Sequence, residues 1–398
     1  LSFGMGFRIE VLGTTIKEWE KTDIIDFRRL IATSMDDLAG EWIVEKLDYA
    51  VQLSGPILSC SSRDELVLVY TSIDPETGYF PIRMALLKEG IWSFEELLFS
   101  NEYDMMDIAL SDNGDVNLAY FEGGSKQYIE VVKWDGSTTS SFRFNDPDMK
   151  GMHVSDLEMV LDDQGRPNIY YVLTETTGSY GFFEFSPSIL KRAVLDGFYF
   201  TNTTLLENRS ITGLDLEMSN DDTVHMSYMN TRIEIYHQYL IYSELRNGSW
   251  SNTTVFHDDA IFNNPSHTSL ELDGDGNPSI MFDDNNGSVK YYRFRNSVWK
   301  REETPQIGGS YHGIFSHHIL GGADPVCSYI GSSGDQSHVF HFSLLGLEGW
   351  NSVSVLEWKS WRFPGGTDIE ESGNRVYIAF NDGLYLRVAS KEISSTVP

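Results

Sequence analysis

Two cysteines in 398 residues, Cys60 and Cys327, are too few for a disulfide framework and too far apart for a C-x-x-C metal or redox motif. Both fall in core-like strand runs of units that do not neighbour each other, so buried free thiols are expected in preference to a bridge. No apolar run approaches the roughly 20 residues of a membrane-spanning helix, and no charged-then-apolar signal segment opens the chain. Membrane insertion is therefore not expected. Basic residues are also scarce: 29 Lys and Arg stand against 59 Asp and Glu, a formal net charge of −30. That charge repels nucleic-acid phosphates and anionic membrane surfaces, which excludes nucleic acid as a partner. The acids are dispersed and form no tail, as on a solvated surface. No H-E-x-x-H, G-x-S-x-G, P-loop or dinucleotide fingerprint occurs.

What the chain holds in quantity is glycine, at 34 residues, and aromatics, at 13%. From residue 55 onward one pattern recurs: ILSCSSRDELVLVY, DIALSDNGDVNLAY, LEMVLDDQGRPNIYY, LDLEMSNDDTVHMSY, LELDGDGNPSIMF, HILGGADPVCSYI and TDIEESGNRVYIAF. Each joins an alternating run to a turn and then to a run rich in β-branched and aromatic residues. The turn positions Asp64, Gly114, Gly165, Asp222, Gly276, Ala323 and Gly373 are spaced by 50, 51, 57, 54, 47 and 50 residues. The stretch 267–304 shows a whole unit, with a third strand at Tyr291–Arg295 and a fourth opened by Trp299. Four short strands per period of this length are the mark of propeller blades, whose sheets bury both faces only against neighbouring blades.

The expected fold is all-β, a β-propeller of seven four-stranded blades. Eight blades are the alternative, because residues 1–50 are themselves about one repeat long. The last unit has three strands, Asp368–Glu370, Arg375–Phe380 and Leu384–Ala389, and then stops. The N-terminal segment has strands to supply the missing outer one, which closes the ring and covers a sheet edge. Residues 1–392 thus read as a single propeller domain, with 1–50 as an irregular closing segment. Residues 393–398 read as the start of a Ser/Thr/Pro linker or tail, and LSFGMGF as a processed or truncated start.

The turns explain themselves chemically. A tight connection asks one residue for positive φ, which Gly takes freely and Asn or Asp tolerate. In LDGDGNP, Asp273, Asp275 and Asn277 alternate as calcium ligands do, but the terminal bidentate carboxylate of a calcium loop is missing. A turn is expected there, with calcium as the alternative and no other cofactor or metal. Trp42, Trp92, Trp250, Trp299 and Trp350, five of the nine tryptophans, all follow a turn and open an alternating strand. They are expected to anchor packing beneath the outer strand, an aromatic platform for sugar rings being the other reading.

The pattern x-L-x-L-D-x-x-G-x-P-x-I-x-Y, followed by a strand and G-S-x-W, resembles the propeller repeats of secreted and cell-surface bacterial and archaeal proteins. The layout is similar to that of sialidase-like and fucose-lectin-like propellers. The sialidase Asp-box, S-x-D-x-G-x-x-W, is not matched, since Asn247–Trp250 keeps only its end. An arginine triad and tyrosine nucleophile, which a sialidase resemblance would require, are not assembled by the sequence.

Chemistry is expected at the axis. Alternation on each innermost strand places Leu or Ile on one face and a polar residue on the other. Aligning the units collects Asp107, Glu158, Asp215, Glu217, Glu271, His318 and Asp368 near the axis, an acid-rich channel mouth suited to cations or polyol hydroxyls. A hydrated structural channel is the plainer account. If the protein is an enzyme, Asp107, Glu158, Asp215 and Glu271 are the candidates for an acid and base pair in glycoside cleavage. His153, His267 and His312 each precede an inner strand and are expected to cap backbone. Sequons at Asn202, Asn208, Asn247, Asn252 and Asn286 fit an extracellular or cell-surface glycoprotein. The expected function is non-catalytic: binding of a glycan or surface protein, or a structural and adhesive role in a surface assembly that includes self-assembly. A glycoside hydrolase or polysaccharide lyase is the alternative.

Overall fold

The second strand of each unit is buried and mostly apolar because both of its faces are covered. All six residues of Leu66–Thr71 are buried. Leu66, Leu68 and Tyr70 pack toward one neighbouring sheet, while Val67 and Val69 pack toward the other. The same division recurs where Val116, Leu118 and Tyr120 face one way and Ala119 and Phe121 the other. Alternation with period two thus shares one strand between two seams.

The structure is a computed structural model. It describes residues 41–49 and 55–393, apart from 62–64, 73–79, 101–102, 112, 124–126, 176–186, 233–236, 247, 259–266, 284–288, 305–309, 321–323, 335–336, 347–348 and 360–365. It also gives the backbone of strands Arg8–Val11, Thr14–Glu18 and Arg29–Ala32.

Seven antiparallel blades form a ring. Blade 1 runs through Ile57–Cys60, Leu66–Thr71, Phe80–Lys88 and Ile91–Ser100, and blade 2 through Tyr103–Leu110, Val116–Glu122, Tyr128–Trp134 and Thr139–Phe144. Blade 3 has Met152–Leu161, Pro167–Glu175 and Ser188–Asp196. The long strand Tyr199–Met218 is first its outer strand and then the inner strand of blade 4, changing partners between Arg209 and Ser210, with a bulge further on between Thr212 and Asp215. Blade 4 continues with Val224–Arg232, His237–Arg246 and Ser249–Asp258. Blade 5 holds Thr268–Leu272, Pro278–Asp283, Val289–Arg295 and Val298–Glu302, and blade 6 holds Ser310–Leu320, Asp324–Gly334, Ser337–Gly346 and Gly349–Lys359. Blade 7 takes Thr367–Ser372, Arg375–Asn381 and Tyr385–Glu392 from the C-terminal side. Its outer strand is Glu41–Tyr49, paired with Tyr385–Glu392, and Arg29–Ala32 adds a fifth.

The count is therefore seven, and the N-terminal segment completes blade 7 instead of forming an eighth. Asp48 ties this closing strand onward to blade 1, accepting from the Tyr70 hydroxyl at 2.8 Å and from Arg83 Nη1 at 2.8 Å. Seven apolar clusters occupy the seven seams.

The outer-strand tryptophans lie in these seams and reach back to the preceding blade. Trp250 meets Tyr170 edge-on with centroids 6.4 Å apart, Trp299 meets Tyr242 at 5.1 Å and Trp350 meets Tyr291 at 5.8 Å. Trp42 is fully buried against Phe342 of blade 6 at 5.0 Å. Trp92 Nε1 donates to Glu45 of blade 7 at 3.2 Å.

The turns between inner and second strands share one construction. The N–H of Ser111, Asp162, Ser219 or Asp273 donates to the carbonyl four residues on, closing the hairpin. Positive φ falls where the turns require it, from 59° at Asp222 to 88° at Gly114. The opening Ser or Asp also accepts from a backbone N–H of its own turn, as Asp273 Oδ1 does from Asn277 at 2.8 Å and from Asp275 at 3.1 Å. The turn positions Asp64 and Ala323 lie outside the described residues. Cys327 is buried and Cys60 only half-buried, both as free thiols. Cys60 departs from the expected burial because it sits at the last position of its short inner strand, beside the turn.

Candidate functional site: the axial channel

On each inner strand alternate residues line the axial cavity, Ile57, Ala109 and Val160 packing into a seam as well, and their distance from the turn sorts them into tiers. Four residues before the turn stand Asp107, Glu158, Asp215, Ser269, Ser316 and Asp368, with Ile57 in blade 1. Two residues before it stand Ser59, Ala109, Val160, Glu217, Glu271, His318 and Glu370. Two residues of strand separate the tiers by about 7 Å. A cavity of about 920 Å³ runs along the axis, lined by Asp107, Asp156, Glu158, Asp215, Glu217, Glu271, Asp368 and Glu370. No Lys or Arg is among the described residues that line it.

Six of the seven residues expected at the axis line this cavity, and the seventh, His318, pairs with one of them. They form two tiers with different chemistry, however, instead of one ring. The aspartates are consumed by the fold. Asp107 Oδ1 accepts from its own neighbour Ile108 N at 2.7 Å, and Oδ2 accepts from Met159 N of blade 3 at 2.6 Å. Asp215 does the same with Leu216 N at 2.8 Å and Leu270 N of blade 5 at 2.6 Å. Asp368 takes Ile369 N at 2.9 Å and Leu58 N of blade 1 at 2.8 Å, with Ser316 Oγ donating at 3.1 Å from blade 6. These are clamps: one carboxylate satisfies backbone N–H groups on two blades where no strand pairing is possible.

Sequence reasoning missed Asp156, which accepts from Leu214 N at 2.6 Å and so clamps blade 3 to blade 4. It shares the parity of Glu158, which was the available signal. Ser269 Oγ takes the corresponding place toward blade 6, accepting from His317 N at 3.2 Å. Asp156→Ala is expected to orphan the Leu214 N–H at a cost of about 1–3 kcal/mol. Chemical denaturation at pH 5.5, where relief of charge repulsion contributes least, checks this, and an unchanged midpoint would remove the clamp from the account.

The second tier keeps its chemistry for the channel. His318 Nδ1 lies 3.3 Å from Glu271 Oε1. Burial opposes the imidazolium, but Glu271, Glu370 and Glu217 together outweigh it and lift His318 to about 10. Glu370, also missed from sequence, stands two residues beyond Asp368 and is pushed up to about 8 by burial, with His318 opposing. Burial and then the charge of Glu271 hold Glu217 well above the usual carboxylate range. One end of the channel therefore carries an ion pair flanked by two carboxyl groups that hold protons unusually well, contributed by four consecutive blades. On the far side the same tier is Ser59, Ala109 and Val160.

In the first tier, burial raises Asp107 to about 7 and Asp368 to about 6, against their backbone hydrogen bonds. Burial and then the neighbouring charge of Asp107 drive Glu158 well above its ordinary value, and these two carboxyl groups share a hydrogen bond.

Of the three strand-entry histidines, His267 donates to the Phe315 carbonyl and meets the Phe315 ring edge-on at 5.1 Å. His153 Nδ1 is buried with no hydrogen-bond partner among the described residues. The side chain of His312 lies outside the described residues. His317 is fixed between Ser269 Oγ at 2.8 Å and Ser279 Oγ at 3.2 Å, and burial lowers it to about 3.

Asn202 and Asn252 are exposed on outer strands. Asn202 Nδ2 points to buried Asp146 Oδ2 at 3.4 Å, which leaves Asn252 the less encumbered of the two. Asn247 and Asn286, and the side chain of Asn208, lie outside the described residues.

Fold and site together define a seven-bladed β-propeller with an acid-lined axial channel. No protein-family model and no curated protein sequence matches the chain. Among solved structures, an ulvan lyase bound to a GlcA–Rha3S polymer is similar to it with a TM-score of 0.56 at 12% identity, over 86% of this chain and 93% of that one. An α-L-arabinanase of Penicillium chrysogenum aligns with a TM-score of 0.49 at 11% identity, over 73% of this chain and 93% of that one. A sialidase of Streptococcus pneumoniae aligns with a TM-score of 0.47 at 12% identity, over 87% of this chain and 68% of that one. At such identities the likeness is one of fold.

Proposed function

We propose that the chain is a non-catalytic, extracellular binding propeller whose ligand is a neutral or amine-bearing glycan, held at the Glu217–Glu271–His318–Glu370 end of the channel. The carrying observation is that four consecutive blades place three carboxyl groups and an imidazolium around one end of a 920 Å³ cavity. Carboxylates accept from sugar hydroxyls and pair with ammonium groups, and a protonated carboxyl group can also donate. No cofactor is part of this reading. Surface attachment and the glycosylation of Asn252 belong to the same proposal.

The ulvan lyase, of the same fold, is bound to an acidic polysaccharide. An anionic polymer would meet repulsion at the channel end described above, where no Lys or Arg among the described lining residues is available to offset its charge. Cleavage of a neutral glycan is the second reading, favoured by Glu370, which holds its proton to about 8 beside the Glu271–His318 pair.

Binding to a glycan array and enzyme assay of the same glycans test both readings. The double variant Glu217→Gln/Glu271→Gln is expected to weaken glycan binding at least about tenfold without loss of fold, a discrimination of about 1.4 kcal/mol. Binding by this variant equal to the parent would sink the site. Turnover by the parent that Glu370→Gln abolishes while binding persists would replace the binding module by a hydrolase.

A further inference from the structure

In a chain this acidic, the arginines shielded from solvent are nearly all spent on acids. Arg83, Arg166, Arg293, Arg375 and Arg387 each stand 2.5–3.8 Å from a carboxylate oxygen. Half-buried Arg192, on the third strand of blade 3, is the exception among the described residues. Its Nε donates to Asn168 Oδ1 at 3.1 Å, and its Nη2 donates to the same oxygen. Asn168 is 1% exposed, and its Nδ2 donates to the Arg166 carbonyl at 3.0 Å, which turns the amide oxygen toward the guanidinium. The guanidinium carbon lies 5.8 Å from the centroid of the Tyr170 ring. Arg192 is thus fixed by a neutral amide and a ring, and its charge is left unmatched. Of the five N–H groups of a guanidinium, three remain, at the Nη1–Nη2 end.

Arg192 lines a cavity of about 590 Å³ where blade 3 meets the turns of blade 4. That volume suits a small molecule. On the blade 4 side, buried Val224 and Leu245 and half-buried Met218 supply apolar surface continuous with the seam core. The acids of the cavity are engaged elsewhere or are too few to serve Arg192. Asp162 accepts from Arg166 Nε at 2.8 Å and Asp221 from Arg246 Nη2 at 2.7 Å, while Asp222 lines the cavity outside ion-pairing reach of Arg192. These three aspartates also limit the charge that a ligand can bring. A phosphate or sulfate would carry two charges against them, whereas one carboxylate matches the guanidinium fork in both shape and charge.

We propose that the cavity between blades 3 and 4 binds a small organic acid through a single carboxylate, which takes the Nη1–Nη2 end of Arg192 while its carbon body lies on Met218, Val224 and Leu245. The orientation imposed by Asn168 and Tyr170 prepares the guanidinium before the ligand arrives. This site is independent of the glycan reading, since the two cavities share Met218 alone among their described lining residues. A uronic acid and an aromatic acid both carry the required chemistry.

Ligand-observed NMR titration of the parent with benzoate, D-glucuronate, their neutral counterparts benzyl alcohol and D-glucose, and inorganic phosphate tests this. At least one of the two acids is expected to saturate a single site per chain, and the tighter of them names the source. Its neutral counterpart and phosphate should each bind at least about tenfold more weakly. Arg192→Gln should weaken the acid by at least about tenfold as well. Arg192→Lys, which keeps the charge and loses the fork, should weaken it by a smaller factor, and Asp222→Asn should tighten it by removing a like charge. The comparison of acid with neutral counterpart is made on the parent, so it decides even where an Arg192 variant fails to fold. Saturable binding by neither acid, equal binding of the neutral counterpart, phosphate binding as tight as the acid, or an unchanged affinity in Arg192→Gln would overturn the site.

Discussion

Gly366→Val is expected to abolish cooperative folding, and Gly366→Ala to cost about 2–3 kcal/mol, the range of an overpacked interior. Gly366 precedes the inner strand of blade 7 and Gly55 precedes that of blade 1. A Cβ built on Gly366 would lie 2.6 Å from Gly55 Cα, and one built on Gly55 would lie 2.8 Å from Gly366 Cα. Both obstacles are backbone, so no rotamer change relieves them. The seam is also the one where Glu41–Tyr49 closes the ring, with Asp368 clamping Leu58 N and Asp48 holding Tyr70. Any widening there lengthens all of these bonds together. Thermal unfolding followed by near-ultraviolet circular dichroism checks the expectation. A Gly366→Val protein melting within a degree or two of the parent would show that the seam is slack.

The ring was legible in the sequence because its physics is local and repeated. A second strand such as Val116–Glu122 must satisfy two seams, so Val116, Leu118, Ala119, Tyr120 and Phe121 supply apolar side chains to both faces, and a hairpin needs its positive-φ residue at one fixed place, so Gly114 and Gly165 recur. The closing strand was legible for the same reason: a unit with three strands leaves an edge that another segment must cover. The axis was legible only in outline. Alternation predicts that Asp107 and Glu158 face inward, but whether a carboxylate is spent on the fold depends on a partner some fifty residues away, as with Asp107 and Met159 N. No spacing within one unit encodes that. Glu370 and Asp156 were overlooked although their parity was right: two positions of one inner strand were read as axial only in blade 4, at Asp215 and Glu217.

Stability is expected to fall as the pH rises from 5 to 8.5, the reverse of ordinary acid denaturation. Asp156 is pushed up to about 7 by burial, as Asp107 is, while Asp368 stands at about 6 and Glu370 at about 8. In the unfolded chain such groups titrate near 4. A carboxyl group whose folded pKa is raised contributes fully below its unfolded pKa, and that contribution is lost as the pH climbs through the folded value. The window therefore lies between about pH 4 and pH 8. His318 has the same sign, since its gain is lost only as the pH rises toward about 10. These acids are half-buried and reach solvent in the channel, so the full shift does not convert to stability. After that discount the loss is about 2–4 kcal/mol, or roughly 5–10 °C in melting temperature. The Glu158→Gln variant isolates the cause. Its amide can still donate to Asp107 but carries no charge, so it should recover a few degrees at pH 8.5 and change little at pH 5. A melting temperature that is flat or rises across this range would mean that the axial carboxylates are ionised without penalty. The clamps, and the proton-holding Glu217 and Glu370 on which the proposed glycan site depends, would then have to be rebuilt on hydrogen bonding alone.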